Sequence, residues 1–224
     1  MTNTEAQPIG DRSVSALLED LADDRRAAGG GALASISGAA GAAMVSMVGR
    51  MTIGRQGFED VEGRMQRMVA TADLARREFL ALADEDMLAF ADVLGALGMP
   101  QGSEGERTAR HEAVQQAYRR AAQVPLTVAR RALELMELAE DATAFGNGEA
   151  ASEGYTGASM LFAALVGAIA SARVDASALS DTDRARAIWD ETLALRDAAD
   201  LLLSDAQTAF MLRLEPPGGA IGSS

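Results

Sequence analysis

Residues 27–55 read AAGGGALASISGAAGAAMVSMVGRMTIGR, and no charged side chain occurs among them before Arg50. Three structures suit such a run: a membrane segment, a flexible linker, or a buried helix packed so closely that only small side chains fit. A linker would waste Leu33, Ile36, Met44, Val45, Met47 and Val48 in solvent. A second run, GYTGASMLFAALVGAIASA at 154–172, is equally uncharged and equally rich in Ala, Gly and Ser. Both gain little from transfer into lipid, and the rest of the chain is strongly charged and lacks apolar anchors at the interfaces a membrane would require. Ala34, Gly38 and Gly41 in the first run, with Gly157, Ala164 and Gly167 in the second, suit close approach of helix backbones. The two runs therefore read as central helices buried on most sides, with no membrane as partner.

Composition bounds the rest. At 224 residues the chain is long enough for one large domain with a substantial core. Thirty-three acidic against twenty basic residues leave a net charge of −13, which excludes nucleic acid as the main partner and leaves small molecules and proteins. The absence of cysteine removes disulfides, thiolate metal sites and thiol nucleophiles, and the absence of lysine removes Schiff-base chemistry. The first residues lack the basic and apolar regions of a secretion signal, so a cytoplasmic location is the expectation.

Helical periodicity dominates, and strand signals are missing. Val14, Leu17, Leu18 and Leu21 mark a helix over 12–25, behind Asp11 or Ser13 as N-cap. From Val61 the positions Met65, Met68, Ala72, Ala75, Phe79, Leu82, Ala89, Val93 and Ala96 alternate steps of four and three, skipping only position 86. A helix over 106–142 should bend or break near Val124-Pro125, because proline donates no N–H and clashes with the preceding turn. A last helix begins at SDTD, 180–183, with Ser180 as cap, and continues through Ile188, Thr192, Leu195, Ala199, Leu202, Ala206 and Ala209. The expected architecture is all-α: a flexible N-terminus at 1–10, one helical-bundle domain at 11–214 and a frayed tail at 215–224. Burying two helices on most sides takes more neighbours than a few helices supply, so a homodimer sharing this core is expected, with a monomeric bundle as the alternative.

Charges in apolar surroundings are the candidates for chemistry. Asp86 fills the skipped position of the long stripe, so its carboxylate points inward, as a functional group or as a structural ion pair or helix cap. Arg50 and Arg173, on the two uncharged runs, are its candidate partners. The single histidine, His111, lies among charges on a solvated face, and one histidine without cysteine supports no metal centre. Gly29, Gly30 and Gly31 precede a helix whose free N–H groups suit an anion, or serve as a hinge.

The ordered set of motifs resembles the cyclodeaminase/cyclohydrolase family of folate one-carbon enzymes. The similarity spans nearly the whole chain. AGGGALAS at 28–35 looks like the family's glycine-rich start, and MVGRMTIGR at 47–55 like its Met-Val-x-x-x-Thr-x-Gly-Lys segment. DMLAF at 86–90, Val124 to Leu126 and GNGEAASE at 146–153 look like three further motifs in order. The resemblance implies an all-helical homodimer that binds a folate in a cleft and uses no cofactor beyond that tetrahydrofolate substrate. The implied reaction is hydrolysis of 5,10-methenyltetrahydrofolate to the 10-formyl form. The alternatives are loss of ammonia from 5-formiminotetrahydrofolate, a non-catalytic folate- or pterin-binding relative, or a helical interaction protein.

On this resemblance Asp86 and Glu153 are the candidate catalytic carboxylates, Arg55 holds the folate's anionic tail or polarises an oxygen, and Gly29 to Gly31 with Thr52, Asn147 and Ser152 shape the pocket. Several positions depart from the family pattern. Arg55 replaces a lysine, Glu149 an asparagine and Glu153 an aspartate, and the proline before the glycines is missing. In SARVD, Ser171 and Asp175 stand where the family has two asparagines.

Overall fold

The computed structural model describes residues 7–23 and 29–214. Six helices account for most of them: α1 (Val14–Ala22), α2 (Gly30–Thr52), α3 (Glu62–Leu97), α4 (Glu104–Phe145), α5 (Ala151–Ser177) and α6 (Thr182–Arg213). Short 3-10 turns occur at Ile9–Asp11, Glu59–Val61 and Gly148–Ala150, and there is no strand among the described residues. The expected tail at 215–224, most of the N-terminal arm and the end of the first predicted helix lie outside the described residues.

Local chemistry sets the helix starts. The Ser13 hydroxyl accepts from the Ala16 N–H at 3.2 Å and begins α1. Ser103 and Glu106 form a reciprocal capping box at the start of α4, each side chain taking the other's backbone N–H. At α6 the cap is Asp181, which accepts from Arg184 N–H at 3.0 Å. It is not Ser180, whose own N–H is turned to Gln115 Oε1 at 2.7 Å. Helix α4 runs unbroken through Pro125. Val124, Pro125, Leu126 and Val128 are all buried, and this docking offsets the hydrogen bond that proline removes.

The two small-residue runs form the centre of the bundle. Helix α2 packs against α3 and α5, and α5 packs in turn against α4 and α6. Their approach is close at Gly41, where an added Cβ would lie 2.6 Å from Leu161 Cγ and 2.9 Å from the Gly157 carbonyl oxygen. Any larger residue would drive the helices apart. The main core collects Phe79, Met65 and Met68 from α3, Leu135 and Met136 from α4, and Leu161 and Leu165 from α5, all fully buried. Each such side chain contributes about 1.5–3 kcal/mol by leaving water. Helices α2 and α5 are also long and apolar enough to cross a membrane, but here their small-residue faces are committed to neighbouring helices of the same bundle.

Burial on the two helices is one-sided. Leu33, Ala40 and Met47 on α2, and Ala163, Ala170 and Val174 on α5, are exposed at helical spacing. The stripes are joined where the Ser37 hydroxyl donates to the Met160 carbonyl at 2.8 Å. A single uncharged face thus runs along the bundle.

Candidate active site

Helix α2 starts on glycine, with Gly29 as N-cap and no side chain of its own to satisfy the first N–H groups. The missing acceptor comes from α3. Asp86, at the one polar position of the α3 stripe, accepts the Ala32 N–H. It lies so tightly over the first turn that a Cβ on Gly31 would fall 2.3 Å from Oδ1 and 2.7 Å from Cγ. Neither Arg50 nor Arg173 is its partner. Arg50 pairs with Asp73 and Ser46, while Arg173 donates to the Thr192 hydroxyl at 2.8 Å and lies over the Trp189 ring.

Asp86 lines a cavity of about 400 Å³, within the size range of small-molecule sites. Its walls are Gly29 to Gly31 from α2, Phe90 from α3, Ala121 from α4, and Ala170, Ser171, Val174 and Asp175 from α5. Pro125 deprives the Ala121 carbonyl of the N–H that a regular helix would supply. Among the described lining residues none is cationic. Burial pushes the Asp86 carboxyl above its ordinary range, and the Ala32 N–H only partly opposes this. Burial, and then the charge of Asp86, pushes the Asp175 carboxyl up to about 6. Two coupled carboxyls, one titrating near neutrality, can hold a cation and move protons.

The remaining sequence-predicted residues gather elsewhere. Thr52 ends α2, and its hydroxyl accepts the Asn147 N–H at 2.8 Å while donating to the Val48 carbonyl. The Asn147 side chain accepts the Glu149 N–H at 3.1 Å, and Arg55 pairs with Glu149 at 2.9 Å on the surface. Ser152 donates to Glu153 at 2.7 Å in the first turn of α5. This cluster clasps the α4–α5 turn to the end of α2. Helices α2 and α5 are paired rods, with Gly31 and Asp175 at one end and Thr52 and Glu153 at the other. Twenty-two residues of rise separate the two sets by about 33 Å. Within one chain the structure therefore brings Gly29, Gly30, Gly31 and Asp86 together, and does not bring Glu153, Thr52, Arg55, Asn147 or Ser152 to them.

Asp175, Ser171 and Phe90 are the cavity residues that sequence reasoning did not assign. A signal for Asp175 existed. Two uncharged runs of similar length, packed antiparallel, set the residues just after the second run beside the glycines that open the first.

An all-helical bundle whose glycine-started central helix meets a carboxylate at the wall of a cavity is a frame suited to a small molecule. Residues 13–194 match the family model described as formiminotransferase-cyclodeaminase, and the chain belongs to that family. It is 34% identical to a methenyltetrahydrofolate cyclohydrolase of Methylorubrum extorquens, over 82% of this chain and 86% of that one. It is 31% identical to the formimidoyltransferase-cyclodeaminase of Rattus norvegicus over 78% of this chain, which spans only 32% of that longer protein. The crystal structure of a formiminotetrahydrofolate cyclodeaminase from Thermotoga maritima superposes with a TM-score of 0.82 at 27% identity, covering 91% of this chain and 98% of that one.

Proposed function

We propose that this chain is a folate one-carbon enzyme that hydrolyses 5,10-methenyltetrahydrofolate to 10-formyltetrahydrofolate, with no cofactor beyond the folate itself. The observation that carries this reading is Asp86, held on the α2 first turn and lining an acid-walled cavity, in a member of this family. The methenyl carbon sits between two nitrogens and carries a delocalised positive charge. A carboxylate beside it stabilises that charge and accepts a proton from the attacking water. Purified protein is expected to speed the loss of methenyltetrahydrofolate absorbance well beyond buffer; decay at the buffer rate overturns the reading. Release of ammonia from 5-formiminotetrahydrofolate in a parallel assay would instead assign the cyclodeaminase reaction, the activity named for the rat and Thermotoga relatives. Saturable folate binding without turnover would mark a non-catalytic relative.

The uncharged α2–α5 face is read as the contact between two copies in a cytoplasmic homodimer. It runs from Ser152 at one end to Ala170 and Val174 at the cavity mouth, so a second copy seated on it would roof the cavity. An antiparallel pairing would lay the Arg55, Asn147 and Glu153 end of one subunit over the Asp86 cavity of the other. That supplies a cation for the folate's anionic tail. Light scattering on a size-exclusion column should give twice the 23.3 kDa chain mass; a monomer at micromolar concentration removes the dimer.

A further inference from the structure

We propose that Asp175 is the second carboxyl group of the reaction, sharing the glycine-lined cavity with Asp86 and passing a proton to the folate nitrogen that leaves the one-carbon unit. This rests on the folate reading above.

Hydrolysis of the methenyl group needs proton traffic in both directions. Water adds to the cationic carbon as one of its protons passes to the Asp86 carboxylate. The bond from that carbon to N5 then breaks, its electron pair staying on N5 and taking up the proton that Asp175 carries. As the carbonyl forms, the hydroxyl proton returns to Asp175, and the proton on Asp86 goes to solvent. One cation and one water give the neutral formyl product and one proton. A single carboxylate can begin this sequence, but a second protonated group is needed at the leaving nitrogen.

The chain offers few other donors there. Of the described cavity residues, Asp86, Asp175 and Ser171 carry the side-chain polar groups. Within one chain, Asp86 is engaged by the Ala32 N–H, and Glu153 lies at the far end of α5. Asp86 on α3 is the charged neighbour that acts on Asp175. On α5 itself Arg173 is turned to Thr192 and Trp189 of α6, and on α4 Arg120 is turned to Asp92. A carboxyl so placed, with its pKa at about 6, keeps a usable fraction of its protonated form near neutral pH. The resemblance places asparagine at position 175 in the family. An amide at that position cannot deliver this proton.

The test is the pH profile of methenyltetrahydrofolate hydrolysis by wild type, Asp175→Asn and Asp175→Glu. If the protonated form of Asp175 acts, wild-type kcat falls about tenfold per pH unit above its pKa. Asp175→Asn should lose that descending limb and run about tenfold or more below wild type at pH 6, with KM little changed. Asp175→Glu should keep the limb at reduced kcat. An Asp175→Asn enzyme with the wild-type profile, or one altered only in KM, overturns the proposal and leaves the folate reading standing. A wild type without turnover overturns both.

Discussion

Replacing Asp86 with asparagine is expected to reduce methenyltetrahydrofolate turnover by about 100-fold or more while the protein melts no lower than wild type at pH 7. The two halves of this result have different causes. As a cap, asparagine serves about as well as aspartate, because its amide oxygen can still accept the Ala32 N–H. As a base and as a counter-charge for a cationic carbon, it is useless. Stability follows from the sign of the pKa shift. Burial raises the folded-state value of Asp86, so the folded chain binds this proton more tightly than the unfolded chain does. Its stabilising contribution is fully present below the ordinary aspartate range and is lost as pH rises through the raised value. Once ionised, the buried group is a burden that the amide relieves. Asp175 obeys the same sign, with its loss extending up to about pH 6. Absorbance kinetics and thermal melts at pH 5 and 7 read both halves together. Full activity in Asp86→Asn would reduce Asp86 to a structural cap.

How far the sequence discloses this arrangement depends on the kind of interaction involved. Stripe periodicity locates α3 from Val61 onward and singles out position 86, because a polar residue in an otherwise apolar row is visible without any tertiary information. The small-residue runs likewise announce two helices meeting backbone to backbone, and Gly41 against Gly157 and Leu161 is that meeting. Partners are another matter. Arg50 and Arg173 look like counter-ions for Asp86 on charge alone, yet each finds a nearer polar group, and the partner of Asp86 is a backbone N–H that no composition reveals. Motif order along the chain also says nothing about which helix end a motif occupies. Thr52, Asn147 and Glu153 cluster by antiparallel pairing at one end, and Gly31 and Asp175 by the same pairing at the other. Proline shows the limit of a local rule. Pro125 forfeits one helical bond, but α4 continues through it with buried neighbours on both sides.

Gly31→Ala should be nearly as damaging to turnover as Asp86→Asn, although it adds a single methyl group and removes no functional atom. That methyl would sit 2.3 Å from Oδ1 and 2.7 Å from Cγ of Asp86, so the carboxylate must retreat by about 1 Å to reach ordinary contact; a displacement of that size is enough to cost about 100-fold in rate. The fold has reason to survive. Alanine in place of glycine favours the helix by up to about 1 kcal/mol, which offsets a weakened Asp86 cap worth about the same. Gly95→Ala on α3 is the control, since a Cβ there meets nothing within 4 Å and the residue is not part of the cavity lining. The expected pattern is an unchanged helical spectrum and melting temperature in both variants, with activity lost only in Gly31→Ala. Equal activity in the two would mean that the carboxylate's position over the first turn of α2 is irrelevant to the chemistry. Only the asymmetric outcome ties the reaction to the place where α3 presses Asp86 onto α2.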